Sequence, residues 1–281
     1  MNKIEVRRAS FDDAENIVSL LEGFYPGVPN HWRKIFTPRA WDIEENFPGY
    51  VIVDQKKIVG FLGTIFSDHQ TEKGQMRLCN LTTWYVEPPY RQHGLMLFLK
   101  VMKIPNVSWT NLTAAPHTYE WLQRSGFKTL ENKQTVVLPL PQFSPTQVTI
   151  TTQIEETNLP ISLHPIYDKH RNLNCKHILI KKQDQLCYCL AVITRYKKLP
   201  VAKIYYFSDS QFFSEVLNEI RFKLCHKLRV SHLVLEGDLL QGHRMIGAWI
   251  KETSPPRLYK SDKFGKEDMT LLCSELFILG I

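Results

Sequence analysis

The segment from Asn80 to Met102, NLTTWYVEPPYRQHGLMLFLKVM, constrains the fold of this chain more than any other. It reads as a strand, a tight basic turn and a helix in immediate succession. Leu81, Trp84 and Val86 supply β-favouring bulk, and Pro88 and Pro89 end the ladder by removing donors. Leu95, Leu97, Phe98, Leu99, Val101 and Met102 then make an apolar helix. Arg91, Gln92, His93 and Gly94 lie between the two. A helix opening there presents unpaired first-turn N–H groups and the positive end of its dipole. A glycine beside a cationic side chain lets a phosphate approach the backbone.

This turn resembles motif A of the GNAT acyltransferase superfamily, Gln/Arg-x-x-Gly-x-Gly/Ala after the fourth strand. Arg91 and Gly94 stand at its first two fixed positions, and Met96 takes the last, where the pattern has a small residue. The neighbouring segments fall in the family's order over residues 3 to 140. IEVRRASFDDAENIVSLLEGFY is similar to the opening strand and helix, and YVIVDQKKIVGFLGTIFSDH to the hairpin before motif A. TAAPHTYEWLQRSGFKTLENKQTVVLPL is similar to the second signature, with a short helix ending at Ser125-Gly126-Phe127.

The resemblance implies an α/β fold with a mixed sheet, and acetyl-CoA or another acyl-CoA as co-substrate. Its pyrophosphate would lie on Arg91, Gln92, His93, Gly94, Leu95 and Met96, and its pantetheine along the strand edge from Thr83 to Val86, beside Tyr85 and Val86. The family's frequent thiolate acid is a tyrosine four residues before the glycine of Gly-Phe, and Leu122 occupies that position. Tyr119 lies three residues earlier, on a similar helix face, and is the candidate acid; its bland reading is a packing residue. His117, near the start of the same helix and titratable near neutrality, is the second candidate. Glu87, Asp68 and His69 stand at strand ends and are candidates for the base that deprotonates the acceptor. Trp32, Trp41, Trp84, Trp109 and Tyr85 suit an acceptor pocket or a core equally.

The chain of 281 residues with 43 % apolar content is comfortable for two domains. The proline-rich stretch Leu138 to Pro145 places the boundary there, giving a GNAT-like acyl-CoA-binding domain over 1–144 and a second domain over 145–281. HILIKKQDQLCYCLAVITRYKKLPVAKIYYFSD predicts three strands with turns at Lys182-Gln183-Asp184 and Lys197-Lys198-Leu199-Pro200. Phe212, Phe213, Val216, Leu217, Ile220, Leu224 and Leu228 predict a helix from Ser210 to Leu228, capped by Ser208, Asp209 or Ser210. A strand at His232 to Glu236 and a closing one around Met269 to Leu279 complete a mixed α/β unit. Its order echoes the first half without a basic glycine turn, so it reads as a degenerate GNAT-like domain that binds no CoA.

The six cysteines are scattered through apolar contexts, which predicts reduced thiols. Cys187-Tyr188-Cys189 has no second pair at zinc spacing, so no metal is expected. The N-terminus lacks an apolar signal region and no window is long enough to span a membrane, which predicts a cytoplasmic protein. Basic residues are spread along the chain despite a net charge of +7, so no nucleic-acid partner is expected. The resulting expectation is an acyl-CoA-dependent acyltransferase, N- or O-directed, acting on a small-molecule acceptor, amino sugars included. The alternative is a GNAT-fold binding or scaffolding module without chemistry, in keeping with Met96 and Leu122. If Tyr119 is the thiolate acid, Tyr119→Phe should lower turnover and leave CoA affinity unchanged; equal turnover in a steady-state assay would return it to the core.

Overall fold

In a computed structural model, residues 4–24, 31–43, 46–142 and 147–281 are described. In chain order the elements are β1 (Glu5–Arg8), α1 (Ala14–Phe24), β2 (Gly49–Asp54), β3 (Lys57–Thr71), β4 (Gly74–Val86), α2 (Gly94–Met102), β5 (Ser108–Asn111) and α3 (Pro116–Arg124). There follow β6 (Lys128–Val137), β7 (Thr149–Thr151), α4 (His164–His170), β8 (Lys176–Lys182), β9 (Gln185–Tyr196), β10 (Leu199–Phe207), α5 (Ser210–Leu228), β11 (His232–Glu236) and β12 (Ala248–Lys260). The chain forms two compact units, one of residues 1–130 with 257–279 and one of 131–256 with 280–281. The boundary expected after residue 144 falls in 143–146, outside the described residues. The units divide at 130/131, and the chain returns to the first unit at Arg257.

In the first unit, β1 to β4 form an antiparallel meander. The chain then crosses through α2 to β5, which lies parallel to β4, and the end of β12 pairs antiparallel with β5. The second unit repeats this order. β7 to β10 form the meander, α5 makes the crossover, and β11 lies parallel to β10. Its last strand is β6, antiparallel to β11. Each unit's sheet is thus finished by a strand from the other half of the sequence.

Local chemistry explains these elements. The hairpin between β2 and β3 turns at Gln55 and Lys56 (φ 47° and 73°), and that between β9 and β10 at Lys197 and Lys198 (φ 47° and 72°). Two positive φ values in succession match the right-handed twist of the flanking strands. α3 stops at Gly126, whose φ of +89° suits a residue without Cβ. Asp209 caps α5, its Oδ1 accepting from the Phe212 N–H at 2.8 Å.

The strand expected over Met269–Leu279 is absent. Ser274 instead accepts backbone hydrogen bonds from Phe277 and Ile278, and the apolar run winds into a helical turn. A short buried apolar run does not distinguish strand from helix by periodicity. The strand that does close the first unit, β12, carries Pro255 and Pro256, residues that argue against a strand.

The first core gathers Ile52, Leu62, Leu81, Leu97, Val101, Leu122 and Leu258. Phe98 stands at its aromatic centre, stacked on Trp84 at 5.8 Å and edge-on to Trp121 at 4.4 Å. The second packs Phe212, Phe213, Val216, Leu217 and Ile220 of α5 on Ile178, Cys187, Cys189, Ala202 and Leu233. Beside it His170 is fully buried, with Nδ1 2.8 Å from the Ile166 carbonyl. Burial pushes its pKa down to about 4, against a partial upward pull from that carbonyl. The unfolded chain therefore takes up a proton that the folded chain does not, and stability falls as pH drops from about 6.5 toward about 4. Denaturant unfolding of the second unit across this range should show the loss, and His170→Gln, which keeps a donor without titrating, should flatten it.

Candidate functional site

The site predicted from the basic turn lies in the first unit, at the end of β4. β5 pairs with β4 at Leu78, Cys79 and Asn80, and its parallel register ends there. β4 runs on to Val86, and among the described residues no strand lies against its edge from Leu81 onward on that side. Asn111 Nδ2 donates to the Leu81 carbonyl at 3.3 Å, closing the base of the gap. Thr83 bulges from the ladder: Leu62 pairs with Trp84 and the next residue, Gly63, with Thr82. Its φ is +37°, a strained value for a β-branched residue. A Cβ on Gly63 would come within 2.7 Å of Thr82 Cγ2, so glycine opposite the bulge is a packing requirement.

The basic turn is wound more tightly than an open cradle. Pro88–His93 form a 3-10 turn that leads directly into α2, and the Gly94 N–H donates to the Arg91 carbonyl. Binding through that amide requires the turn to release it. Arg91, Gln92, Leu95 and Met96 are exposed, His93 is half-buried with Nε2 3.2 Å from Gln92 Nε2, and Gly94 is buried. Gly94 has helical φ, −57°. A Cβ there would meet only Val86 Cγ2 at 3.5 Å and Trp84 Nε1 at 3.9 Å, which are ordinary contacts. Neither backbone nor packing demands glycine at the head of this helix.

Tyr85 stacks on Phe24 of α1 at 4.1 Å between ring centroids, and Val86 is buried against Gly94. Tyr119 is half-buried in α3 and packs on the core, and His117 is exposed in the first turn of that helix. Leu122, at the position of the absent tyrosine, is a core residue, 1 % exposed. The three candidate bases have other engagements. Glu87 accepts from Lys57 Nζ at 2.7 Å. Asp68 is 3.5 Å from Arg77 Nη1, and His69 Nε2 is 2.8 Å from Ser67 Oγ. Asp68 faces Arg77 across the ladder, about 30 Å along β4 from Val86 at roughly 3.3 Å per residue, so the structure does not bring it to the turn. Trp41 is committed to the core through a bond from Nε1 to the Phe66 carbonyl, and Trp109 is buried. Cys79 is fully buried and burial pushes its thiol well up, which leaves no thiolate for attack.

Sequence reasoning missed Glu275. It is 1 % exposed and belongs to the first unit, where β4 and β5 part. Burial pushes its carboxyl up, against the pull of the Thr82 and Thr113 hydroxyls, the Arg257 charge and Asn80. A lone glutamate in the apolar stretch Leu271–Leu279 was the available signal. In the second unit the equivalent helix start is closed by its own chain, since the Asp209 carboxylate holds the Phe212 N–H. Among the described residues no three His, Cys, Asp or Glu side chains gather as a metal site. No helix is long and apolar enough to cross a membrane.

The four-strand meander, the crossover helix and the gap between the fourth and fifth strands define a class: the chain has the fold of the GCN5-related N-acetyltransferases, the GNAT superfamily. A GCN5-related N-acetyltransferase from Anabaena variabilis aligns with TM-score 0.60 and 13 % identity over 92 % of this chain and 72 % of its own. A probable N-acyltransferase from Enterococcus faecalis aligns with TM-score 0.62 and 10 % identity, over 95 % and 74 %. A glucosamine N-acetyltransferase region of a fungal β-N-acetylglucosaminidase aligns with TM-score 0.58 and 11 % identity, over 92 % and 38 %. No protein-family model matches the chain, and no curated protein matches it.

An acid whose pKa is raised by burial in the fold makes stability fall as pH rises above the ordinary carboxylate range. Wild-type protein should show this decline in equilibrium unfolding and Glu275→Gln should lack that component; identical profiles would place the Glu275 carboxyl at its ordinary value.

Proposed function

We propose that this protein transfers an acyl group from acyl-CoA to the amine or hydroxyl of a small acceptor, with acetyl as the acyl group. The reading is carried by one observation: the open β4 edge runs into a helix whose first residue is a glycine that the fold does not require. Extended backbone beyond Asn80 suits an amide-bearing pantetheine arm, which can hydrogen-bond as a strand would. The head of α2, with Arg91 and His93 beside it, suits the pyrophosphate.

With CoA so held, the thioester lies in the gap between β4 and β5. An acceptor amine attacks the carbonyl carbon; the C–N bond forms, the C–S bond breaks, and the leaving sulfur takes a proton while the amine gives one up. Backbone N–H groups of the bulged strand stabilise the oxyanion. Tyr119 and His117 are the proposed proton donors to sulfur, both in the first turns of α3. Glu87, paired with Lys57 at the end of β4, is the proposed base. We place the acceptor among small amines, amino sugars included, in line with the amino sugar of the fungal neighbour, whose likeness to this chain is one of fold. The second unit is read as binding no CoA, since Asp209 supplies an anion where a phosphate would have to lie. A non-catalytic binding module is the second reading, favoured by Leu122, which puts core where the family's acid stands.

Calorimetric titration with acetyl-CoA tests the proposal. One molecule should bind per chain, and Gly94→Asp should lose it while melting normally, because an acidic residue at a helix start suits the dipole and repels the phosphate. Binding that survives the substitution would remove the turn from the site. Binding without transfer to any amine would favour the non-catalytic module.

A further inference from the structure

Glu275 sits where the gap between β4 and β5 begins, and its bonds reach both margins. Its backbone N–H donates to Asn80 Oδ1 at 2.8 Å, and Asn80 is the last β4 residue paired with β5. The Thr82 hydroxyl, next to the bulged Thr83, pulls the Glu275 carboxyl down against burial, and Thr82 Oγ1 lies 3.3 Å from Thr83 Oγ1. Its Oε1 also accepts from Thr113 Oγ1 at 2.8 Å, and Thr113 stands just beyond the end of β5, on the way to α3. One residue therefore holds the strand that bulges, the point where pairing stops, and the chain leaving the partner strand.

A carboxyl suits this task because its two oxygens can accept from several hydroxyls at once. Burying it is expensive, and an apolar side chain of similar volume would fill the same space at lower cost. The strain at Thr83 persists only while its surroundings over-determine it, and Glu275 with Gly63 provides that restraint.

We infer that Glu275 is a positioning residue for acyl transfer: through Asn80, Thr82 and Thr113 it fixes the Thr83 bulge and the width of the gap in which the thioester carbonyl lies. The inference rests on the acyl-transfer reading for its catalytic consequence, though not for its structural one. It assigns Glu275 no contact with substrate. Small displacements at such a site are costly, since a shift on the order of 1 Å can lower a rate about a hundredfold.

The test uses the full chain with Glu275→Gln, Glu275→Ala and Thr113→Val, read by amide hydrogen exchange and by acetyl transfer to an amine. Glu275→Ala should raise exchange in the peptide covering residues 81–86 while peptides of β1 and β2 stay as in wild type. Its kcat should fall more than about tenfold with KM for acetyl-CoA changed less than about threefold. Thr113→Val should move both readouts in the same direction by less, and it serves if Glu275→Ala does not fold. Glu275→Gln, which keeps an acceptor oxygen, should restore both. Unchanged exchange at 81–86 in Glu275→Ala and Thr113→Val would overturn the inference. So would a Gln variant as defective in kcat as the Ala variant with exchange restored, because that result makes the carboxyl a proton acceptor. A wild-type protein without acetyl-CoA binding or transfer would defeat the proposed function and leave the exchange result to judge Glu275 alone.

Discussion

The parallel contact between β4 and β5 lasts only from Leu78 to Asn80, and the proposed acyl-CoA site depends on that brevity. A longer ladder would satisfy the β4 backbone with β5 and leave nothing for another extended chain to bond. A shorter one would lose the crossover that puts α2 at the end of β4. The gap is held by particular groups: Asn111 on the Leu81 carbonyl, Gly63 opposite the bulge, and Glu275 across the margins. The strain at Thr83 and the burial of a carboxyl are two costs met in one place, and local order of this kind accompanies sites rather than general packing.

The two units share one topology and differ at the start of the crossover helix. Each has a meander, a crossover helix, a parallel strand and a final antiparallel strand. In the first, the crossover helix begins with a glycine that follows Arg91 and His93. In the second it begins after Asp209, whose carboxylate takes the Phe212 amide for itself. A capping acid stabilises the helix by about 1 kcal/mol and fills the place a phosphate would need. The two helix starts thus differ in few residues, on the same underlying dipole.

Much of this was legible in the sequence, for identifiable reasons. The strands and turns from His177 to Asp209 and the helix Ser210–Leu228 follow from alternation, turn residues and helical spacing, which are local signals. The end of α3 at Gly126 was likewise local. What escaped was set by distant parts of the chain. That β6 and β12 each pair with strands from the other half of the sequence leaves no mark in composition, and Pro255-Pro256 argued against the strand that was there. Leu271–Leu279 looked like a strand because a short apolar run carries no period. Glu275 went unremarked because a single glutamate among apolar residues has meaning only once Asn80, Thr82 and Thr113 are brought to it. Asp68 and His69 looked eligible as bases until the β3–β4 register carried them far from Val86.

The central claim is that acyl-CoA occupies the open β4 edge and the head of α2 in the first unit, while the second unit's matching position is closed. Amide hydrogen exchange with and without saturating acetyl-CoA tests it most directly. The account predicts protection in peptides spanning residues 81–97 and none in those spanning 205–215. Protection around Asp209, or binding that leaves residues 81–97 unaltered, would contradict it.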